Sequence, residues 1–426
     1  MTAWQKSQSD GTLWDDLQRL ILDARIAFIS LPKWEKPFHI FWLLGPFILL
    51  IERSPADAWL SILALSFAVR SLCQRDGAWL SYSWVRAAFI FWVFCLLSAS
   101  MSSAPYYSLG EAISWFRFPL FAMATAFWLG RDKRLLYAML LSTGIGMMLM
   151  TGILTAEMLI EGQKHGRLTW PYGDLVPGNY LAKAGLPAFC VMVALAAGGK
   201  GKIAFAMSAL ASFSLALSVL AGERINLVIR ICSGVLAFLT WRIKWQRLLT
   251  VMPIFFALIV PIFIFQGGMD PRRFTLAFTQ DLPISASSDY YMKMGGGIVA
   301  FLDSPILGIG TANYRDLCPD FLTEHSAFRC DNHPHNYYIQ ILAEIGILGF
   351  MAGVFMISAM IISLFRAGCA NKRNVVAATA YIVPLGLFFP LQSTSDFFGQ
   401  WNNIFLWSAV ALSMAAINLR AEQGSS

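Results

Sequence analysis

Long apolar runs separated by short polar stretches recur along almost the whole chain. Twelve can be drawn, at about 38–52, 56–70, 86–103, 112–130, 135–158, 179–198, 203–222, 225–241, 248–266, 345–365, 375–391 and 402–419. Most are long enough to cross a hydrocarbon core of about 30 Å as a helix. The first two are short and read equally as one re-entrant hairpin. One connection breaks the rhythm: residues 267–344 form a single loop of 78 residues. Before the first run, Trp14, Leu17, Leu20 and Ile21 fall at helical spacing. They predict an amphipathic helix lying on the membrane surface within a tail over 1–37, not a signal peptide. The expected fold is all-α and polytopic. Spans one to nine cover 38–266, the long loop 267–344, spans ten to twelve 345–419, and a short tail 420–426.

Composition agrees with this pattern. Of 426 residues, 57% are hydrophobic and only 13% charged, about half the charged share of a soluble domain. The mean hydropathy is +0.59. A soluble enzyme, a disordered chain and a fibre are excluded.

The net charge of +7 has to be sorted by side of the membrane before it carries meaning. Clusters at Lys33/Lys36, Arg70/Arg75/Arg86, Arg131/Lys133/Arg134, Lys200/Lys202, Arg242/Lys244/Arg247 and Arg366/Lys372/Arg373 fall on alternate connections. By the positive-inside rule these face the cytoplasm, and both termini with them, together with Lys6, Arg19, Arg25 and Arg420. The excess charge is thus a topology signal and implies no nucleic-acid partner. Twelve of the 32 basic residues are left over, in outer connections or within spans: Arg53, Arg117, Lys164, Arg167, Lys183, Arg224, Arg230, Arg272, Arg273, Lys293, Arg315 and Arg329. A charge inside the bilayer costs at least ~2.5 kcal/mol, so it is kept for a reason. Arg117, Lys183, Arg224 and Arg230 sit in or at the ends of runs. Each could snorkel or pair with an acid such as Glu223. Taken together, with few intramembrane acids to match them, they suggest a site for an anionic ligand.

The long loop gathers further chemistry. It holds His325, His333 and His335, and a glycine-rich amphipathic stretch from Met294 to Leu302. It also holds Cys318 and Cys330, which on an oxidising face are expected to pair and hold the segment leading to His333 and His335. The rival is a metal site drawing on the same cysteines and histidines. No CxxC or HExxH spacing supports it. The other five cysteines read as small buried hydrophobes. The chain has no GxxxxGK[ST] and no GxSxG, and its outer connections have no Asp-x-Asp. ATP-driven transport and serine hydrolysis therefore lack a signal, and a bound diphosphate would depend on Arg and Lys.

The strongest local pattern is His335-Asn336, nine residues, then Gly346-Ile347-Leu348-Gly349. It puts an imidazole, a general base at neutral pH, at the outer end of a span, where paired glycines permit close packing. A histidine that only caps the helix or bonds a loop is the alternative. This pattern resembles the signature of the O-antigen ligase family, whose superfamily includes the O-antigen polymerases. Pro305-Ile306-Leu307-Gly308-Ile309-Gly310, Gly178-Asn179-Tyr180-Leu181-Ala182 and Arg224 at a junction of two spans add to the likeness. One feature departs from it: where family members often carry an Arg, this chain has Tyr290. Lys293 or Arg272/Arg273 would then supply the charge.

The resemblance implies a fold like that of GT-C glycosyltransferases and a metal-independent, cofactor-free, inverting enzyme of the bacterial inner membrane. It would transfer O-antigen from undecaprenyl diphosphate to a sugar hydroxyl of lipid A–core on the periplasmic face. Arg224 would bind the diphosphate with help from Lys183, Arg230, Lys293 or Arg117, and His335 would accept the hydroxyl proton. Asn336 would help bind the diphosphate or a sugar, and Asp396 would orient His335 or a sugar. An O-antigen polymerase, a protein O-oligosaccharyltransferase and a secondary anion transporter are the alternatives.

Overall fold

The computed structural model describes residues 13–164, 167–173, 177–199, 201–222, 224–240, 285, 288–322 and 328–419. The ninth apolar run, His325 and Arg272/Arg273 lie outside the described residues. Those residues are built from helices, without strands.

Six described helices are long and apolar enough to cross a membrane, or seven if one bent pair counts as a single span. The twelve runs are therefore not all spans by this measure, and the shortfall has local causes. The first run folds as two short helices: after α1 (Leu13–Ser30) come α2 (Lys36–Leu43) and α3 (Gly45–Ile48). Pro46 interrupts the helix here, because it lacks the amide that would continue the ladder. The carbonyls freed by the break are taken by neighbours: Trp59 Nε1 donates to Phe41 O (2.9 Å), Ser142 Oγ to Leu43 O (2.7 Å) and Tyr180 Oη to Pro46 O (2.7 Å). On α1, Trp14, Ile21, Leu22, Ile26 and Ile29 are exposed while Ala27 is buried.

The spans follow as α4 (Arg53–Gln74), α5 (Ser83–Ser100), α6 (Pro105–Trp115) running into α7 (Arg117–Ala124), and α8 (Lys133–Ile160). Residues Pro177–Ala184, with a π-turn at Tyr180–Ala184, meet α9 (Leu186–Gly198) at a 58° bend. Then come α10 (Gly201–Leu220) and α11 (Arg224–Thr240). The long loop contains two helices, α12 (Asp289–Asp303) and α13 (Tyr314–Leu322). Last are α14 (Tyr337–Ala370), the short α15 (Val375–Thr379) and α16 (Ile382–Leu387), and α17 (Gln400–Ala415). Five tryptophans, Trp42, Trp59, Trp84, Trp115 and Trp407, are among the largest fully buried side chains.

α14 begins at Tyr337, two turns before the apolar run read from the sequence, because Gln340 and Glu344 in its first turns are polar yet buried. It is broken at Gly346, whose φ of 69° and ψ of −171° only glycine adopts readily. Each buried peptide group left unpaired by such a break costs about 1–3 kcal/mol. The Pro305–Gly310 segment repairs it. Ile309 N donates to Ala343 O (3.0 Å) and Gly310 N to Glu344 O (3.0 Å), while Ile347 N donates to Pro305 O (2.9 Å). The fit is tight: a Cβ at Gly346 would lie 2.3 Å from Ile306 O, and one at Gly308 2.4 Å from the Glu344 carbonyl carbon. The two glycine motifs are thus halves of one joint.

Gly346→Ala should strain the backbone by about 1–3 kcal/mol and also force the joint open. Its Tm in detergent should fall clearly below that of the parent. Gly152→Ala, where a Cβ meets nothing within 4 Å, should leave Tm unchanged or raise it. Equal Tm values for the two variants would disprove the joint's structural role.

Candidate functional site

A cavity of about 410 Å³ opens where this joint meets α6, α17 and the segment after α16. Its charged lining is Arg53, Arg315, Glu111, Glu344 and Asp396, together with His333. Asn179 and Asn402 add amides, and Tyr107, Trp401 and Phe405 aromatic rings. Polar groups beside aromatic faces suit a sugar, whose hydroxyls need hydrogen bonds and whose C–H faces need apolar cover.

The floor is one hydrogen-bonded network. Gln340 Nε2 donates to Asp396 Oδ1 (2.7 Å), and Phe397 N to Gln340 Oε1 (2.8 Å). Phe398 N donates to Asp396 Oδ1 (2.9 Å), which leaves Arg315 at 4.0 Å from Oδ2. Glu344, one turn further along α14, accepts from Ala312 N (2.9 Å) and Tyr314 N (3.3 Å). Asn402 Nδ2 donates to Tyr337 Oη (2.8 Å), and its Oδ1 accepts from the Lys183 ammonium. Lys183, buried within the bent pair, therefore sits directly behind the cavity wall.

Asn336 caps α14: its Oδ1 accepts from Tyr338 N (3.0 Å) and Ile339 N (3.2 Å), satisfying two of the amides a helix start leaves open. Its Nδ2 donates to Pro390 O (2.8 Å) and Gln392 O (3.2 Å), which ties the helix start to the segment after α16. The same segment clamps both histidines. Thr394 N donates to His335 O (2.8 Å), and His333 Nε2 donates to Thr394 O (3.1 Å). His335 adopts φ +58°, a left-handed backbone uncommon outside glycine, and these bonds hold it there.

The rings of His333 and His335 lie 4.2 Å apart, but their surroundings differ. His333 lines the cavity; His335 does not. His335 Nε2 donates to Asp331 Oδ2 (3.1 Å). Asp331 in turn pairs with Lys293 (2.7 Å), which also bridges to Asp289 (2.9 Å). Tyr290 packs its ring edge-on to His335, with centroids 5.7 Å apart. Cys318 and Cys330 are disulfide-bonded next to this group, with Cα atoms 5.7 Å apart.

Electrostatics follow from these contacts. Burial opposes ionisation of Asp331, but the Lys293 ammonium, the Asn332 amide and His335 outweigh it and hold its pKa below the usual carboxylate range. Lys293 is pushed up, because its bonds to Asp331 and Asp289 outweigh burial. His335 is lowered, chiefly by burial, although Asp331 works the other way. Burial and then the neighbouring His335 bring His333 down to about 4.

The residues proposed from the sequence are thus only partly brought together. Asp396 lines the cavity, and Asn336 and His335 flank it. Lys183 is one residue removed. Lys293 is committed to two carboxylates. Arg117 pairs with Asp57 (3.0 Å) and stacks on Phe118. Arg230 is fully buried away from the cavity, bonded to Ser214 O (2.8 Å) and Ser214 Oγ (2.9 Å) with its guanidinium 4.2 Å over Phe189. Arg224 opens α11, and its side chain is outside the described residues; two residues on, Asn226 Nδ2 reaches Asn179 Oδ1 in the cavity wall (3.4 Å). The sequence had not singled out Arg53, Arg315, Glu111, Glu344 or His333 for this site. Of these, Arg53 and Arg315 carried a signal, being basic residues left over from the topology assignment.

Fold and site describe a membrane protein with apolar spanning helices and a polar, sugar-suited cavity closed by a joint of two glycine motifs. The family described as O-Antigen ligase (Wzy_C) matches residues 206–354, the segment that contains both motifs. Over those residues the chain is similar to the O-antigen ligase family, whose members are glycosyltransferase-like ligases. No curated protein matches the chain. Among solved structures, a chain from work described as "Structural coordination of polymerization and crosslinking by a peptidoglycan synthase complex" superposes with a TM-score of 0.48 at 15% identity. It covers 81% of this chain and 100% of its own length.

Because the fold lowers His333 from 6.5 to about 4, the folded state binds its proton less readily than the unfolded chain. The stability this leaves is whole above about pH 6.5 and is lost as pH falls toward 4. Tm should therefore drop across that window, and His333→Gln should flatten the drop. An unchanged slope in the variant would show that His333 is not the group responsible.

Proposed function

We propose that this protein is an O-antigen ligase of the bacterial inner membrane. It transfers a glycan from undecaprenyl diphosphate to a sugar hydroxyl of lipid A–core, on the periplasmic face and with both termini cytoplasmic. The observation that carries this reading is the composition of the cavity wall. Its residues include Ala312, His333 and Glu344, which border the two motifs of the matched segment.

Both substrates are lipid-anchored, and a cavity walled by spanning helices gives them access from the bilayer. The diphosphate ester already activates the anomeric carbon, so departure of the diphosphate needs only cationic stabilisation. Arg224 supplies it, supported by Lys183 behind Asn402 and by Arg53 and Arg315 in the lining. The histidine pair accepts the proton of the attacking hydroxyl, and Asp396 orients the sugar. Attack opposite the leaving group inverts the anomeric centre.

The test combines purified protein, EDTA, an undecaprenyl diphosphate-linked glycan and core-only lipopolysaccharide. A ladder of slower-migrating lipopolysaccharide should form on a gel, and Arg224→Ala should reduce it by about 10²-fold or more while remaining folded. Extension of the lipid-linked glycan alone, without product on the core acceptor, would establish a polymerase instead. Parental transfer by Arg224→Ala would refute the diphosphate assignment.

A further inference from the structure

We propose that His333, rather than the motif histidine His335, is the residue that takes the proton from the attacking hydroxyl, and that His335 positions it. The assignment rests on the transferase reading above. Three observations carry it. First, His333 lines the cavity, and His335 does not. Second, both rings are bonded through Nε2 to oxygens that only accept, the Thr394 carbonyl (3.1 Å) and the Asp331 carboxylate (3.1 Å). In the neutral state each ring is therefore the Nε2–H tautomer, with an unprotonated Nδ1. The basic nitrogen of His333 thus belongs to a ring on the cavity wall, near enough to Asp396 to feel its charge. Third, His335 governs His333 through Thr394. Its carbonyl accepts from Thr394 N (2.8 Å), and the Thr394 carbonyl fixes the His333 tautomer. The His335 ring also covers that of His333 at 4.2 Å, and Asp331 with Lys293 holds it in place.

The hydroxyl oxygen forms a bond to the anomeric carbon, whose bond to the diphosphate breaks with the electron pair leaving on phosphate oxygen. The hydroxyl proton passes to His333 Nδ1, and the imidazolium later releases it to water. Without substrate, burial and His335 keep His333 low. A bound diphosphate brings negative charge beside the ring and moves it up, toward the range a base needs.

The experiment compares His333→Ala, His333→Gln and His335→Ala in the full-length protein, measuring transfer from lipid-linked glycan to core lipopolysaccharide. His333→Gln keeps an amide donor for the Thr394 carbonyl, which alanine loses, but has no basic nitrogen. Both His333 variants should lose about 10²–10⁴-fold in turnover with KM for the glycan donor changed less than threefold. Added imidazole should restore His333→Ala at least tenfold and leave His335→Ala unrestored. Turnover of folded His333→Gln within threefold of an active parent would overturn the assignment, as would imidazole rescue of His335→Ala alone. A parent that transfers nothing would instead overturn the transferase reading, and this assignment with it.

Discussion

The joint at Gly346 is the constraint on which the rest of the site depends. A long apolar helix would ordinarily run unbroken through a bilayer, where unpaired peptide groups are most costly. Here α14 is broken, and Ile309 N, Gly310 N and Pro305 O replace the partners that the break removes. The same bonds pin the loop to the helix end. That sets Ala312 and Tyr314 against Glu344 and brings the loop, α5 and α6 together: Ser98 Oγ donates to Glu344 O (2.6 Å), Thr311 Oγ1 to Cys95 O (2.9 Å) and Ser108 Oγ to Thr311 O (2.7 Å). The cavity wall follows from these contacts.

A second layer of order comes from the segment between α16 and α17. It has little regular structure, so its backbone groups are available to side chains. Asn336, Gln340, His333 and Asn402 all bond to it. This segment, more than any helix, sets the orientation of the two histidines and of Asp396. On the far side of His335, the Asp331–Lys293–Asp289 chain and the Cys318–Cys330 bond provide rigid backing. Charge is thus spent in two different ways: neutralised pairs build the support, and unequally paired groups face the cavity.

The same distinction explains the fate of the leftover cations. Each was notable for lying in an outer connection, where the topology rule expects few, or within a span, where a positive charge is costly. Arg117 and Arg230 resolve that cost locally, through Asp57 and through serine oxygens and a phenylalanine face. Arg53 and Arg315 instead line the cavity. Sequence position could not separate the two groups, because a salt bridge to a residue sixty positions away leaves no local pattern.

What the sequence determined by itself was whatever has short-range physical causes. The scarcity of charge and the length of the apolar runs declared a helical membrane protein, since only such segments can bury their backbone in lipid. The His-Asn and glycine motifs marked the segment that the O-antigen ligase family matches. The tertiary structure alone decided how those pieces meet. It made Gly346 a helix break rather than a packing surface, started α14 two turns early at Tyr337, and turned the first run into the short pair α2 and α3. It also put His333 on the cavity wall and His335 against Asp331. Each outcome depends on partners distant in the chain, such as Pro305 for Ile347 or Thr394 for His333. Spacing along a sequence carries no record of which remote backbone group will be there to accept a bond.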